Sequence, residues 1–140
     1  MEITPKILLQ NAELYGAESA LSVRDQEGNW PQTHWPDLYA EIMDISTALS
    51  ACGVGITDTV RLYSYNRQEW YAGSLSAPTI GGVAVGVYHT CSSQEVEWIV
   101  GNSDSKVVFV GDNPMDNGEK EKMPNHRNKS ITQGNCFPPM

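Results

Sequence analysis

Three short apolar runs constrain this chain more than any other feature. Strands are expected to begin near Val60, Val83 and Val107, spaced 23 and 24 residues apart. Each run is almost continuously apolar, the pattern of a parallel sheet covered on both faces rather than the alternation of a half-solvated one. The segments between them, Arg67–Gly82 and Cys91–Asp104, are long enough to cross over the sheet and return in parallel. Thr59–Val110 therefore reads as strand, helix, strand, helix, strand, with both crossovers expected to be right-handed.

Local signals agree with that reading. Asn66 with Glu69, and Ser92 with Glu95, each have the spacing of a capping box at a helix start, and Gly101 closes the second helix. The helix after Arg67 is rich in small residues (Ala72, Gly73, Ser74, Ser76, Ala77), which predicts a close approach to the sheet. Trp70 and Trp98 are assigned to inward faces as core residues, and Arg67 and Glu69 to an exposed first turn.

Upstream, Thr4-Pro5 opens a helix that Gly16 ends. Ala20–Arg24 and Trp30–Thr33 flank a five-residue connection containing Gly28, which predicts a β-hairpin. A second helix starts at Trp35-Pro36-Asp37, with Pro36 at the first helical position and Asp37 facing the positive end of the helix dipole. Leu38, Ile42, Ile45, Leu49 and Cys52 then give the best amphipathic stripe in the chain, and Gly53 and Gly55 stop it. Cys52 on that stripe is a small core hydrophobe, not a reactive thiol.

The fold class is thus α/β: a three-layer parallel-sheet fragment (βαβαβ) preceded by a helix, a hairpin and an amphipathic helix. Residues 1–111 form the organised part. Residues 112–140 hold four of the eight prolines, five asparagines and six apolar residues without periodicity, and are expected to be irregular or disordered.

Charge narrows the function classes. The formal net charge is −8, and all of it falls in residues 1–111, where thirteen acids face Lys6, Arg24, Arg61, Arg67 and Lys106. An acidic body with no basic stripe argues against nucleic acid as a partner and against an anionic membrane surface. No run approaches the roughly 20 apolar residues of a membrane span, and the N-terminus lacks the basic region of a signal peptide. Cys52, Cys91 and Cys136 are odd in number with no close pair, which argues for a reducing, cytoplasmic setting.

The most suggestive local stretch is Tyr88-His89-Thr90-Cys91-Ser92-Ser93-Gln94-Glu95. It comes after the carboxyl end of an apolar strand and opens a helix, the place where ligands and anions sit in open α/β sheets. The competing account is structural, with Ser92 capping the helix and Thr90 closing the turn. His89 and Cys91 lack a third group that would make them a nucleophile pair. Gly81, Gly82 and Gly86 lie before and within a strand, the wrong place for a phosphate loop. His34, His89 and His126 are scattered, and Asp112–Gly118 lacks the terminal Glu of a calcium loop.

Four segments in order resemble a known family: Tyr65-Asn-Arg-Gln-Glu-Trp70, Gly81–Tyr88 with Thr90, Val96-Glu-Trp-Ile99, and Ser103–Val110. Residues from about 4 to 127 resemble the beginning of the long-chain fatty acyl-CoA synthetases of the adenylate-forming (AMP-binding) superfamily. The resemblance implies ATP-dependent activation of a fatty acid to an acyl-adenylate, then acyl transfer to coenzyme A, with magnesium serving the phosphates. It also implies a partial N-terminal domain. The family's Ser/Thr/Gly-rich loop, its Tyr-Gly-x-Thr-Glu segment, its ribose-binding Asp and its C-terminal catalytic Lys have no counterpart here. No catalytic, cofactor-binding or metal residue is therefore assigned; ATP, magnesium, coenzyme A and the fatty acid are expectations for a full-length enzyme. From about residue 128 the tail departs from the family pattern, as a truncation would produce. The alternative expectation is a stand-alone, non-catalytic α/β binding module.

Overall fold

The computed structural model describes residues 4–25 and 27–111. The irregular tail expected over 112–140, together with His126, Cys136 and Asp112–Gly118, lies outside the described residues.

The elements run α1 (Thr4–Leu14), β1 (Ser19–Ser22), β2 (Gln32–His34), α2 (Trp35–Ala51), β3 (Thr59–Tyr63), α3 (Gln68–Thr79), β4 (Val83–Val87), α4 (Ser93–Gly101) and β5 (Val107–Val110). β1 and β2 pair antiparallel, as the Gly28-containing connection predicts, with an irregularity between Ser19 and Leu21. Asp25 holds the connection: its carboxylate accepts from the Asn29 backbone N–H at 2.7 Å and from the Asn29 amide at 3.2 Å.

The main sheet is all parallel, with strand order β4-β3-β5. β3 is central, so the chain steps to one side for β4 and crosses back to the other side for β5. Alternation along β3 divides its side chains between two faces. Val60 packs with Leu49, Val54, Ala77 and Val107, which places α2 and α3 on one face. Tyr63 packs with Val87 and Val96, against Ile99, Val100 and Val110, which places α4 on the other. Two crossovers that travel in opposite directions and cover opposite faces share one hand.

The α2 stripe is buried as its periodicity requires. Leu38, Ile42 and Leu49 are buried, and Ile45 and Cys52 are partly buried against the core. α2 ends in a Schellman motif: Gly53 adopts φ 82°, its N–H reaches Ser50 O at 2.9 Å, and Val54 N–H reaches Leu49 O at 3.0 Å. Val54 and Leu49 share the same apolar cluster, the contact that accompanies such an ending. At Gly73, where small residues predict a close approach, an added Cβ would stand 3.1 Å from Leu62 and 3.7 Å from Phe109. α2 and α3 are also tied by buried hydroxyls: Ser46 Oγ donates to Ser76 O at 3.0 Å and Ser76 Oγ to Ile42 O at 3.2 Å.

Two local expectations are corrected. Asn66 does not cap α3. The helix starts one residue later, Arg67 occupies the cap position without a side-chain cap bond, and Glu69 pairs with the Arg67 guanidinium at 2.9 and 3.1 Å. Trp98 is 69% exposed, not a core residue. Val96, Ile99 and Val100 take the inward side of α4, and a residue two positions from Val96 points the opposite way.

Candidate functional site

β3 and β4 are neighbours whose chains leave in opposite directions, into α3 on one face and α4 on the other. Such divergence opens a crevice at the carboxyl ends of the strands. Here it forms a cavity of about 400 Å³ lined by Ser64, Asn66, Trp70, Gly86, Val87, Tyr88 and His89. The β3–α3 loop supplies Ser64 and Asn66, and the first turn of α3 supplies Trp70. The end of β4 and the turn after it supply the rest.

The two walls meet across the opening. The Tyr65 and His89 rings lie with centroids 4.2 Å apart, tilted by 32°. Below them, Gly86 leaves room for Trp70, because an added Cβ there would come within 3.2 Å of indole Cζ2. The Ser64 hydroxyl donates to Tyr65 O at 3.1 Å. The Cys91 N–H donates to Tyr88 O at 3.0 Å and closes the turn that carries His89 and Thr90.

The stretch Tyr88–Glu95 divides. Tyr88 and His89 line the crevice. Cys91 turns away and packs against the Tyr63–Val87–Val96 cluster, while the His89 ring lies against Tyr65, so the two do not form a nucleophile pair. Ser92 and Glu95 make a complete capping box. Glu95 Oε2 accepts from Ser92 N–H at 2.7 Å and from Ser92 Oγ at 2.8 Å. The chain's own groups therefore satisfy the Ser92 and Glu95 N–H groups at this helix start. These bonds hold the Glu95 carboxyl below its usual range, with the Ser92 backbone bond the larger cause and its hydroxyl bond the next.

The lining does not fit a triphosphate or its magnesium. No Lys or Arg is among the lining residues to neutralise phosphate oxygens, and no carboxylate is among them to hold a cation. Among the described residues, no group of three His, Cys, Asp or Glu is placed to hold a metal ion. The crevice offers hydroxyl, amide, imidazole and aromatic surface, which suits uncharged or weakly polar groups. Sequence reasoning missed Asn66, Trp70 and Gly86 as parts of one site. The available signal was Gly86, since a glycine inside an apolar strand marks a close approach.

Comparison with known proteins gives a consistent result. The family model described as AMP-binding enzyme matches residues 9–137. The uncharacterized protein Rv1549 of Mycobacterium tuberculosis is 31% identical over 90 residues, which cover 64% of this chain and 51% of the relative. The long-chain-fatty-acid–CoA ligase FadD15 of Mycobacterium bovis is 28% identical over 84 residues, covering 60% of this chain and 14% of the ligase. The chain thus spans about half the length of one relative and a seventh of the other. Among solved structures, Klebsiella oxytoca NpsA in complex with 3-hydroxyanthranilyl-AMSN aligns with a TM-score of 0.77 at 16% identity, covering 98% of this chain and 26% of NpsA. That likeness speaks for the fold alone.

Proposed function

The chain belongs to the AMP-binding enzyme family, and from that premise we propose that it supplies the N-terminal α/β framework of an ATP-dependent ligase that joins long-chain fatty acids to coenzyme A. The observation that carries the reading is the ordered match to the family over residues 9–137, with the three parallel strands in the same chain segment. The long-chain fatty acid is favoured by the name of the FadD15 ligase among its relatives. A cytosolic setting is favoured by the free thiol of Cys91. No helix among the described residues is long and apolar enough to cross a membrane.

In this reading ATP, magnesium and coenzyme A are held by parts of the enzyme other than the described residues, and the crevice is part of the frame. Adenylation needs cations and donors around the transferring phosphorus. The crevice lining carries no such cation. We assign residues 1–111 to the framework and no catalytic, cofactor or metal role to any residue in it.

The 140-residue chain, purified and supplied with ATP, magnesium and palmitate, is expected to give no pyrophosphate exchange above blank. Palmitate-dependent exchange would mean that the chain contains a phosphate site of its own and would overturn this division of labour. The second reading, a stand-alone binding module, is favoured by the uncharged lining of the crevice. Tight binding of an uncharged ligand by the isolated chain would support it.

A further inference from the structure

The two walls of the crevice are fixed by different means. The α4 wall is fixed locally, by the Ser92–Glu95 capping box directly after the turn that carries Tyr88 and His89. The α3 wall has no such device, because its cap position makes no side-chain cap bond. Gln68, the first residue of α3, stands directly after that cap position, between the Ser64–Arg67 loop and Trp70.

The Gln68 carboxamide is part-buried and engaged on both sides. Its Oε1 accepts from Thr33 Oγ1 at 2.7 Å, and its Nε2 donates to Glu41 Oε2 at 2.9 Å. Glu41 as a carboxylate only accepts, so the amide is fixed in one orientation and the second bond is charge-assisted. Thr33 lies in β2 and Glu41 in α2, both outside the three-stranded sheet.

We infer that Gln68 is a positioning residue: through Thr33 and Glu41 it ties the Tyr65–Trp70 wall of the crevice to the hairpin and α2, so that this wall's placement depends on tertiary bonds rather than on a helix cap. Beside the apolar packing and the Ser46–Ser76 bonds that join α2 to α3, Gln68 is then a polar link from the hairpin to the start of the crevice wall. The inference concerns the geometry of the crevice whatever occupies it, so failure of the ligase reading leaves it standing. Its test uses no substrate.

The test is a donor–acceptor exchange in the full chain, read by NMR of the native state. Gln68→Glu sets two carboxylates against each other. Gln68→Glu with Glu41→Gln restores both bonds, with the donor now on residue 41. The indole signal of Trp70 and the imidazole signals of His89 report on the crevice, and the exposed Trp98 serves as internal reference. Gln68→Glu is expected to displace the Trp70 and His89 signals and leave Trp98 in place, and the double exchange to return them to their wild-type positions. If Gln68→Glu lowers the unfolding midpoint while the Trp70 and His89 signals stay at wild-type positions, the bonds are merely stabilising and the inference is wrong. Failure of the double exchange to return the signals contradicts it equally. Should Gln68→Glu not fold, Thr33→Val removes one bond without adding a charge. A smaller displacement of the same signals is then expected, and unchanged signals overturn the inference.

Discussion

Trp70 and Gly86 are a matched pair: the indole occupies the space that any side chain at residue 86 would need, with Cζ2 3.2 Å from the position of an added Cβ. The tryptophan comes from α3 and the glycine from β4, and both line the crevice.

Gly86→Ala is therefore expected to move Trp70 rather than to unfold the chain. To admit the added methyl the half-buried indole must shift by a few tenths of an ångström. Overpacking costs of about 1 kcal/mol are offset in part by the reduced freedom of the unfolded chain. A changed Trp70 signal with the unfolding free energy altered by less than about 1 kcal/mol is expected. An unchanged Trp70 signal would show that the pair is not in contact.

The core and the surface of the helical layers should respond very differently to truncation. Ile42 is fully buried, at 0% exposure, between α1 and α3, so Ile42→Ala is expected to cost about 2–5 kcal/mol by urea denaturation. Trp98→Ala, although it removes a larger side chain, is expected to stay within about 0.5 kcal/mol. A large cost at Trp98 would mean that the outward face of α4 is covered.

The amino end of the sheet carries a pH-dependent tie. Asp58 accepts from Lys106 Nζ at 2.7 Å and from Gly55 N–H at 2.8 Å, and Lys106 also donates to Gly53 O at 2.9 Å. The Lys106 bond first, and the Gly55 bond second, hold the Asp58 carboxyl below its ordinary range. A carboxyl lowered in the folded state adds stability above its unfolded value of about 3.9, and that stability is lost as pH falls through the folded value. Urea midpoints of wild type and Asp58→Asn, tracked from pH 6 down to about pH 2, should differ at the upper end and converge at the lower. A gap that stays constant with pH would refute the tie.

How far these features could be read from the sequence depends on what fixed them. β3, β4 and β5 were legible because burial on both faces enforces nearly unbroken apolar runs. The α2 stripe was legible because Leu38, Ile42 and Leu49 repeat with the helix and are buried in that order. The Ser92–Glu95 cap was legible because every atom in it lies within one turn. The same pattern at Asn66–Glu69 misled, because there Glu69 found Arg67 and the helix start was tied down by Thr33 and Glu41, far away in the chain. The crevice was half legible. Tyr88 and His89 visibly come after a strand, but bringing Asn66 and Trp70 beside them requires knowing that β3 lies next to β4 while the chain leaves them toward opposite faces.

If this chain is framework for fatty acid–CoA ligation, it should serve as framework in a working ligase. The most direct measurement is palmitate-dependent ATP–pyrophosphate exchange by a long-chain ligase such as FadD15 in which the matching N-terminal segment is replaced by this chain's. The framework role predicts a folded chimera with exchange within about tenfold of the parent, a barrier change of about 1.4 kcal/mol or less. A folded chimera that shows no exchange would contradict it.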